Sequence, residues 1–263
     1  MNLKPLACTF SLIAVFFIGC KKDNTTVTPD PTPTPEATTA AIKLVFGNKV
    51  GAKTLELDKP YLLSTGDSVT FNKLNYYISN IVLTNSTGAT YAVPESYFIV
   101  KQSSAASQTI SVQVPFGTYT SLKYMLGVDS ARNVSGSQTG GLDPVYASDM
   151  YWSWSTGYIF FKMEGTSPAS GSPQKALEYH IGGYKGTFKA QRNFTLDFLG
   201  QQATVSKDGS TPLILIDADA TELFQNPTKL DLKADYSIVS AGSRANMIAN
   251  NYADLFKFKG IVQ

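Results

Sequence analysis

Apolar and polar residues alternate with a period of two along much of the chain. Ile110, Val112 and Val114 alternate with Thr109, Ser111 and Gln113, and Phe194, Leu196 and Phe198 alternate with Thr195 and Asp197. Successive side chains of a strand point to opposite faces, so both runs predict half-buried strands with one solvated face. Residues 213–216 (LILI) are unbroken apolar, the pattern of a strand buried on both faces. Residues 74–83 (LNYYISNIVL) carry apolar side chains on both parities around Ser79 and Asn80, which predicts a central strand or a bulge. Turn residues separate these runs at Ser86-Thr87-Gly88, Pro115-Phe116-Gly117, Gly182-Gly183 and Lys207-Asp208-Gly209.

Helical spacing stands out near the end of the chain, where Ser243 can cap and Met247, Ile248, Tyr252, Leu255 and Phe256 form a stripe. No internal repeat is visible. The fold expected is all-β: an antiparallel β-sandwich with a long central loop and a short C-terminal helix.

The N-terminal residues read as targeting rather than structure. Lys4 precedes an apolar stretch, residues 6–18, too short to span a bilayer, followed by Gly19-Cys20. A small residue before Cys is the bacterial lipobox pattern, so residues 1–19 are expected to be a lipoprotein signal peptide and Cys20 the lipidated residue. Lys21, rather than Asp, favours an outer-membrane anchor. Residues 20–40 form a Thr/Pro-rich tether in which Pro29, Pro31, Pro33 and Pro35 alternate with polar residues. The folded β-domain is then 41–263. On this reading Cys8 leaves with the signal peptide and the mature domain has no thiol.

Composition narrows the chemistry. The 263 residues hold 22 Lys+Arg against 20 Asp+Glu, and a net charge of +2 without a basic cluster argues against nucleic acid. The single histidine, His180, makes zinc sites and His-dependent nucleophiles improbable. Residues 127–144 (GVDSARNVSGSQTGGLDP) are polar, glycine-rich and too long for a hairpin turn. Both tryptophans follow, Trp152 and Trp154, on one side of an extended segment. Core packing, an aromatic platform for sugars and redox chemistry each explain the pair, and spacing does not choose among them. His180 is either a hydrogen-bonded structural residue or a metal ligand that borrows Met125, Met150, Met163 or carboxylates. Asp129, Asn133 and Asp143 offer oxygen ligands to calcium at a spacing unlike an EF-hand. No spacing selects a carboxylate pair for glycoside hydrolysis.

Six segments together resemble one family: residues 74–83, 117–136 (GTYTSLKYMLGVDSARNVSG), 141–144 (GLDP), 150–165 (MYWSWSTGYIFFKMEG), 180–183 (HIGG) and 250–256 (NNYADLF). In this order they resemble the MbnP-like family of secreted or lipid-anchored copper-associated proteins. The resemblance implies a di-haem partner, MbnH, similar to bacterial cytochrome c peroxidases, that oxidises a partner tryptophan to kynurenine. Trp152 and Trp154 are equally eligible. It also implies copper held by a kynurenine nitrogen plus histidines. The family's histidine after the first strand's Phe is matched here by Asn48, which leaves His180 as the remaining candidate metal residue. The expectation is a non-enzymatic, lipid-anchored envelope protein. The alternative is a surface module that binds carbohydrate or peptide through aromatic residues, with no metal.

Overall fold

A computed structural model of the chain describes residues 38–134, 138–154 and 157–263. The expected signal peptide, Cys20 and the tether as far as residue 37 lie outside the described residues. The main strands are β1 (Thr39–Val50), β2 (Ser68–Asn85), β3 (Tyr97–Lys101), β4 (Thr109–Pro115) and β5 (Gly117–Leu126). They continue with β6 (Phe161–Thr166), β7 (Ala176–Ile181), β8 (Arg192–Asp197), β9 (Leu213–Asp219) and β10 (Phe256–Val262). Two α-helices, α1 (Ser130–Val134) and α2 (Ser243–Asn251), complete the set used below.

The fold is an all-β sandwich of two curled sheets. In the smaller sheet β1 lies between β4, antiparallel, and β9, parallel, with β10 antiparallel on the far side of β9. In the larger sheet the order is β8–β5–β2–β6–β7, and β3 pairs with the other edge of β2. The sandwich is mostly antiparallel, with a second parallel pairing between β7 and Ser237–Ile238.

Aromatic rings close the space between the sheets. Phe46 of β1 and Phe256 of β10 meet Tyr76 of β2 and Tyr124 of β5 edge-on, with centroids 5.4–6.1 Å apart. Tyr76 stacks on Phe161 of β6 at 6.0 Å. Such rings bury large apolar area in favoured geometry, which supplies a core without disulfides.

β2 proves to be both a central strand and a bulged one. Tyr76 faces the inter-sheet core, while Asn75, Tyr77 and Ser79 face outward and are buried too. At Asn80 (φ 53°) the register to β5 shifts, and Ile81 and Leu83 return to the core.

Two local expectations are corrected. β9 alternates instead of burying both faces: Ile214 and Ile216 point inward, while Leu213 and Leu215 are half-exposed on a partly covered outer face. An apolar run of four has no parity to reveal this. Ser243 is the first residue of α2 rather than its cap; Gly242 holds the cap position with no side-chain bond. The stripe also breaks after the helix. Tyr252 begins a 3-10 turn, and Phe256 opens β10, where it faces the core as a strand residue.

Candidate functional site

The long central loop is closed at its base by one residue of β2. Gly127 N–H donates to Tyr77 O (3.1 Å), and Tyr77 N–H donates to Phe160 O (2.9 Å). β5 and β6 share one edge of β2, so residues 127–160 leave and re-enter the sheet at neighbouring points. The Tyr77 ring stands inside the excursion: its hydroxyl donates to Gly141 O (3.0 Å) and its face meets Tyr158 edge-on at 5.6 Å. Around it Val128, Leu142, Met150, Trp152 and Tyr158 are buried. The loop is thus a small layer packed on the outer face of the larger sheet, its buried side chains continuous with the rest of the core.

The two tryptophans differ in exposure. Trp152 is 7% exposed and Trp154 is 67% exposed, with ring centroids 5.8 Å apart and planes tilted by 47°. A two-residue ladder, Trp152 opposite Gly157 and Tyr151 opposite Tyr158, sets the strand geometry at the first of them. Trp152 lies over Gly182. A Cβ there would fall 2.8 Å from the indole Cη2 and 2.6 Å from Tyr158 O, closer than atoms can approach. The glycine that follows the HIGG imidazole and isoleucine therefore makes room for the indole. Among the described residues the Trp152 indole N–H has no hydrogen-bond partner. Trp152, Tyr158, Gly183, Tyr184, Phe188 and Gly242 border a cleft of about 400 Å³.

Beside the tryptophans an ion network ties the loop to the sheet. Lys162 of β6, its side chain 9% exposed, donates to Asp149 Oδ1 (2.6 Å) and to Asp149 O (3.0 Å). Lys73 of β2 reaches Asp149 (3.2 Å) and Glu164 (3.4 Å), and Asn75 donates to Asp149 Oδ2 (3.1 Å). His180 Nε2 lies 2.9 Å from Glu164 Oε1. Burial would raise the Asp149 carboxyl, but Lys162 and Lys73 outweigh it and hold it below its usual value. Burial likewise opposes Glu164, which His180 and the same lysines pull down. Burial and then Lys162 push the His180 imidazole down against the attraction of Glu164. Burial and Lys162 therefore favour the neutral imidazole.

His180 and Trp152 share the outer face, since His180 is two residues from the glycine under the indole. Asn48 lies on the other face. Its Oδ1 accepts from the inward-pointing Tyr76 hydroxyl (2.8 Å), and its Nδ2 donates to Gln102 (2.8 Å). The sheet separates the two positions, so a copper site of the two-histidine pattern does not fit this chain. Among the described residues no cluster of three or more His, Cys, Asp or Glu could hold a metal ion. The calcium candidates do not converge either. Asp129 accepts from the Tyr97 hydroxyl (2.6 Å), Asn133 bonds Val128 O and Tyr158 N, and Asp143 Oδ1 accepts from Val145 N. Met150 and Met163 are fully buried, and Met125 Sδ is 4.0 Å from Asn80.

Sequence reasoning passed over Tyr77, Lys162 and Glu164. The signal for Tyr77 was present, because an apolar residue on the wrong parity of β2 needs a cover. The charged pair had none, because a buried lysine reads like any surface lysine.

No curated protein matches the chain. The solved structure of MbnP from Methylosinus trichosporium matches with a TM-score of 0.54 and 16% identity, over 77% of this chain and 84% of that one. At that identity the likeness bears on fold alone. The sequence profile of the MbnP family, however, matches residues 39–242. By that match, which takes in the larger sheet, the smaller sheet except β10, the tryptophan pair and His180, the chain belongs to the MbnP family.

Proposed function

We propose that this chain is an envelope protein whose tryptophan pair is oxidised by a di-haem, cytochrome c peroxidase-like partner, with Trp154 as the target. Family membership fits a copper-related role. The observation that carries the reading is the exposed Trp154 ring packed against the buried Trp152. Oxidised indole sheds its N–H proton, which the exposed Trp154 can give to water, whereas the buried Trp152 N–H has no acceptor among the described residues. Two equivalents of peroxide, reduced to water at the partner, take four electrons from the indole; two waters supply the oxygens added at C2 and C3, four protons leave, and the C2–C3 bond breaks. Hydrolysis then releases formate and leaves the aromatic amine of kynurenine. Copper handling in this chain would rest on that amine rather than on two histidines. Lipid on Cys20 would hold the domain at the outer membrane.

Coexpression with a di-haem peroxidase-like enzyme, followed by intact mass and peptide mapping, tests this. Conversion of Trp154, lost in Trp154→Phe, is expected; an unchanged pair in the presence of active oxidase overturns the reading. The aromatic border of the cleft also favours a second reading, a carbohydrate- or peptide-binding module. Retention on polysaccharide, lost in Phe188→Ala with no oxidation in any arm, would select it.

A further inference from the structure

Three chain segments border the cleft beside Trp152, and none holds an acidic residue. Asp and Glu are missing from residues 150–163, 179–196 and 236–253, which contain Lys162, Lys185, Lys189, Arg192 and Arg244. The chain as a whole is nearly balanced at +2, and carboxylates that flank these segments, Asp149, Glu164 and Asp235, are each held by a lysine or arginine. Lys162 is spent on Asp149, and Arg244 on Asp235 (2.6 Å). Lys185 and Lys189 are exposed and make no ion pair among the described residues; Lys185 Nζ stands 5.0 Å from the centre of the Tyr184 ring. Arg192 donates to amide and backbone oxygens, those of Asn246, Asn250, Lys189 and Gln191, and meets no carboxylate. Asp129 precedes α1, which touches Tyr184 through Ser130, but its carboxylate is taken by Tyr97, Asn80 and the Arg132 N–H.

Apolar side chains stand out within this positive surround. Trp154, Phe188 and Val239 are 67%, 46% and 37% exposed. Trp154 packs on Trp152 beside the cleft instead of lining it. Aromatic residues flanked by charge are the make-up of a protein interface, and a one-signed rim steers an oppositely charged partner.

We propose that this surface docks the acidic face of a partner protein, with Trp154 and Phe188 at the contact and Lys185, Lys189 and Arg192 around it. The proposal rests on the oxidation reading, for which it supplies the approach to Trp154. A protein fits better than a small anion because the exposed rings extend beyond the cleft.

Two measurements on the full chain test it. The first needs no partner: quenching of the exposed tryptophan by iodide, caesium and acrylamide. Iodide is expected to quench several-fold more than caesium at low salt. The contrast should vanish in Lys185→Glu/Lys189→Glu, with acrylamide quenching and thermal melting unchanged. Equal quenching by both ions in the wild type overturns the proposal. The second follows oxidation by a purified di-haem peroxidase-like enzyme from the same genome. Its second-order rate should fall about tenfold or more with added salt, and by a similar factor in the charge-reversed variant at low salt. Oxidation at a salt-independent rate, equal in wild type and variant, sinks the docking surface and leaves the oxidation reading standing. Absence of oxidation sinks the oxidation reading, while the iodide–caesium contrast still judges the surface. Saturable binding of benzene-1,3-dicarboxylate in the cleft, with oxidation indifferent to salt, would assign the lysines to a small anion and overturn the proposal.

Discussion

The two faces of the larger sheet are built from alternate residues of the same strands, yet they are held by different forces. Tyr76, Phe161 and Ile181 point inward to a layer of packed rings. Their neighbours Tyr77, Lys162 and His180 point outward to a layer fastened by one tyrosine, a set of ion pairs and a glycine gap. The inner face supplies stability in bulk. The outer face supplies placement, and a few contacts there decide where Trp152 and Trp154 stand. A change on the outer face can therefore displace the tryptophans while the sandwich stays folded.

The contrast breaks most directly at the inner face. Phe161→Ala should cost about 3–5 kcal/mol in denaturant unfolding, as large-to-small changes in aromatic cores do. If it costs less than the outer-face changes, the division of labour is wrong. Gly182→Ala forces a methyl group against the indole and Tyr158 O, and about 1–3 kcal/mol of destabilisation is expected. Red-shifted tryptophan emission should accompany it, since Trp152 must move toward water. Lys162→Met takes the nearest cation from the Asp149 carboxylate, which keeps Lys73 and Asn75, for about 1–2 kcal/mol. The loss stays modest because the Asp149 side chain keeps 37% of its surface in water.

Acid sharpens the comparison further. Asp149 and Glu164 have folded pKa values below their unfolded ones, so their contribution is whole above about pH 4 and is lost as pH falls through the folded values. His180 acts in the same direction. Its folded value is depressed, so the unfolded chain takes up that proton first, below about pH 6.5. Tryptophan emission should therefore change on acidification before far-ultraviolet circular dichroism does, and this early change should shrink in Lys162→Met. The smallest effect on stability belongs to Trp154→Phe, within about 0.5 kcal/mol as for an exposed side chain. The same variant should abolish oxidation altogether.

Legibility followed the physics of each element. Alternation at Ile110–Val112–Val114 reported a face directly, because burial there follows parity. The doubled parity of residues 74–83 reported a second cover, and the glycine-rich loop after β5 provides it. Run LILI at the start of β9 concealed its alternation, because apolar side chains occupy both the inner positions (Ile214, Ile216) and the outer ones (Leu213, Leu215). The tryptophan pair was visible as a pair, but its asymmetry was not, since exposure depends on Gly182 and Tyr158, which belong to other elements. The HIGG segment drew attention to its imidazole, while its first glycine carries the packing. Lys162, Asp149 and Glu164 are brought together from β6 and the loop by closure at Tyr77, a contact that no spacing along the chain encodes.

β1 lies between β4 and β9, in parallel register with a strand that arrives more than half the chain later, Lys43 opposite Leu213 and Lys49 opposite Asp219. Pairing across such a separation is slow, because the ends of a long loop must be brought together before any bond rewards them. A chain emerging from its N-terminus can pair β1 with β4 but carries one open edge of β1 until β9 has followed. Completion of the sandwich waits on β9 and β10, and the chain stays threadable for as long as these strands are held back.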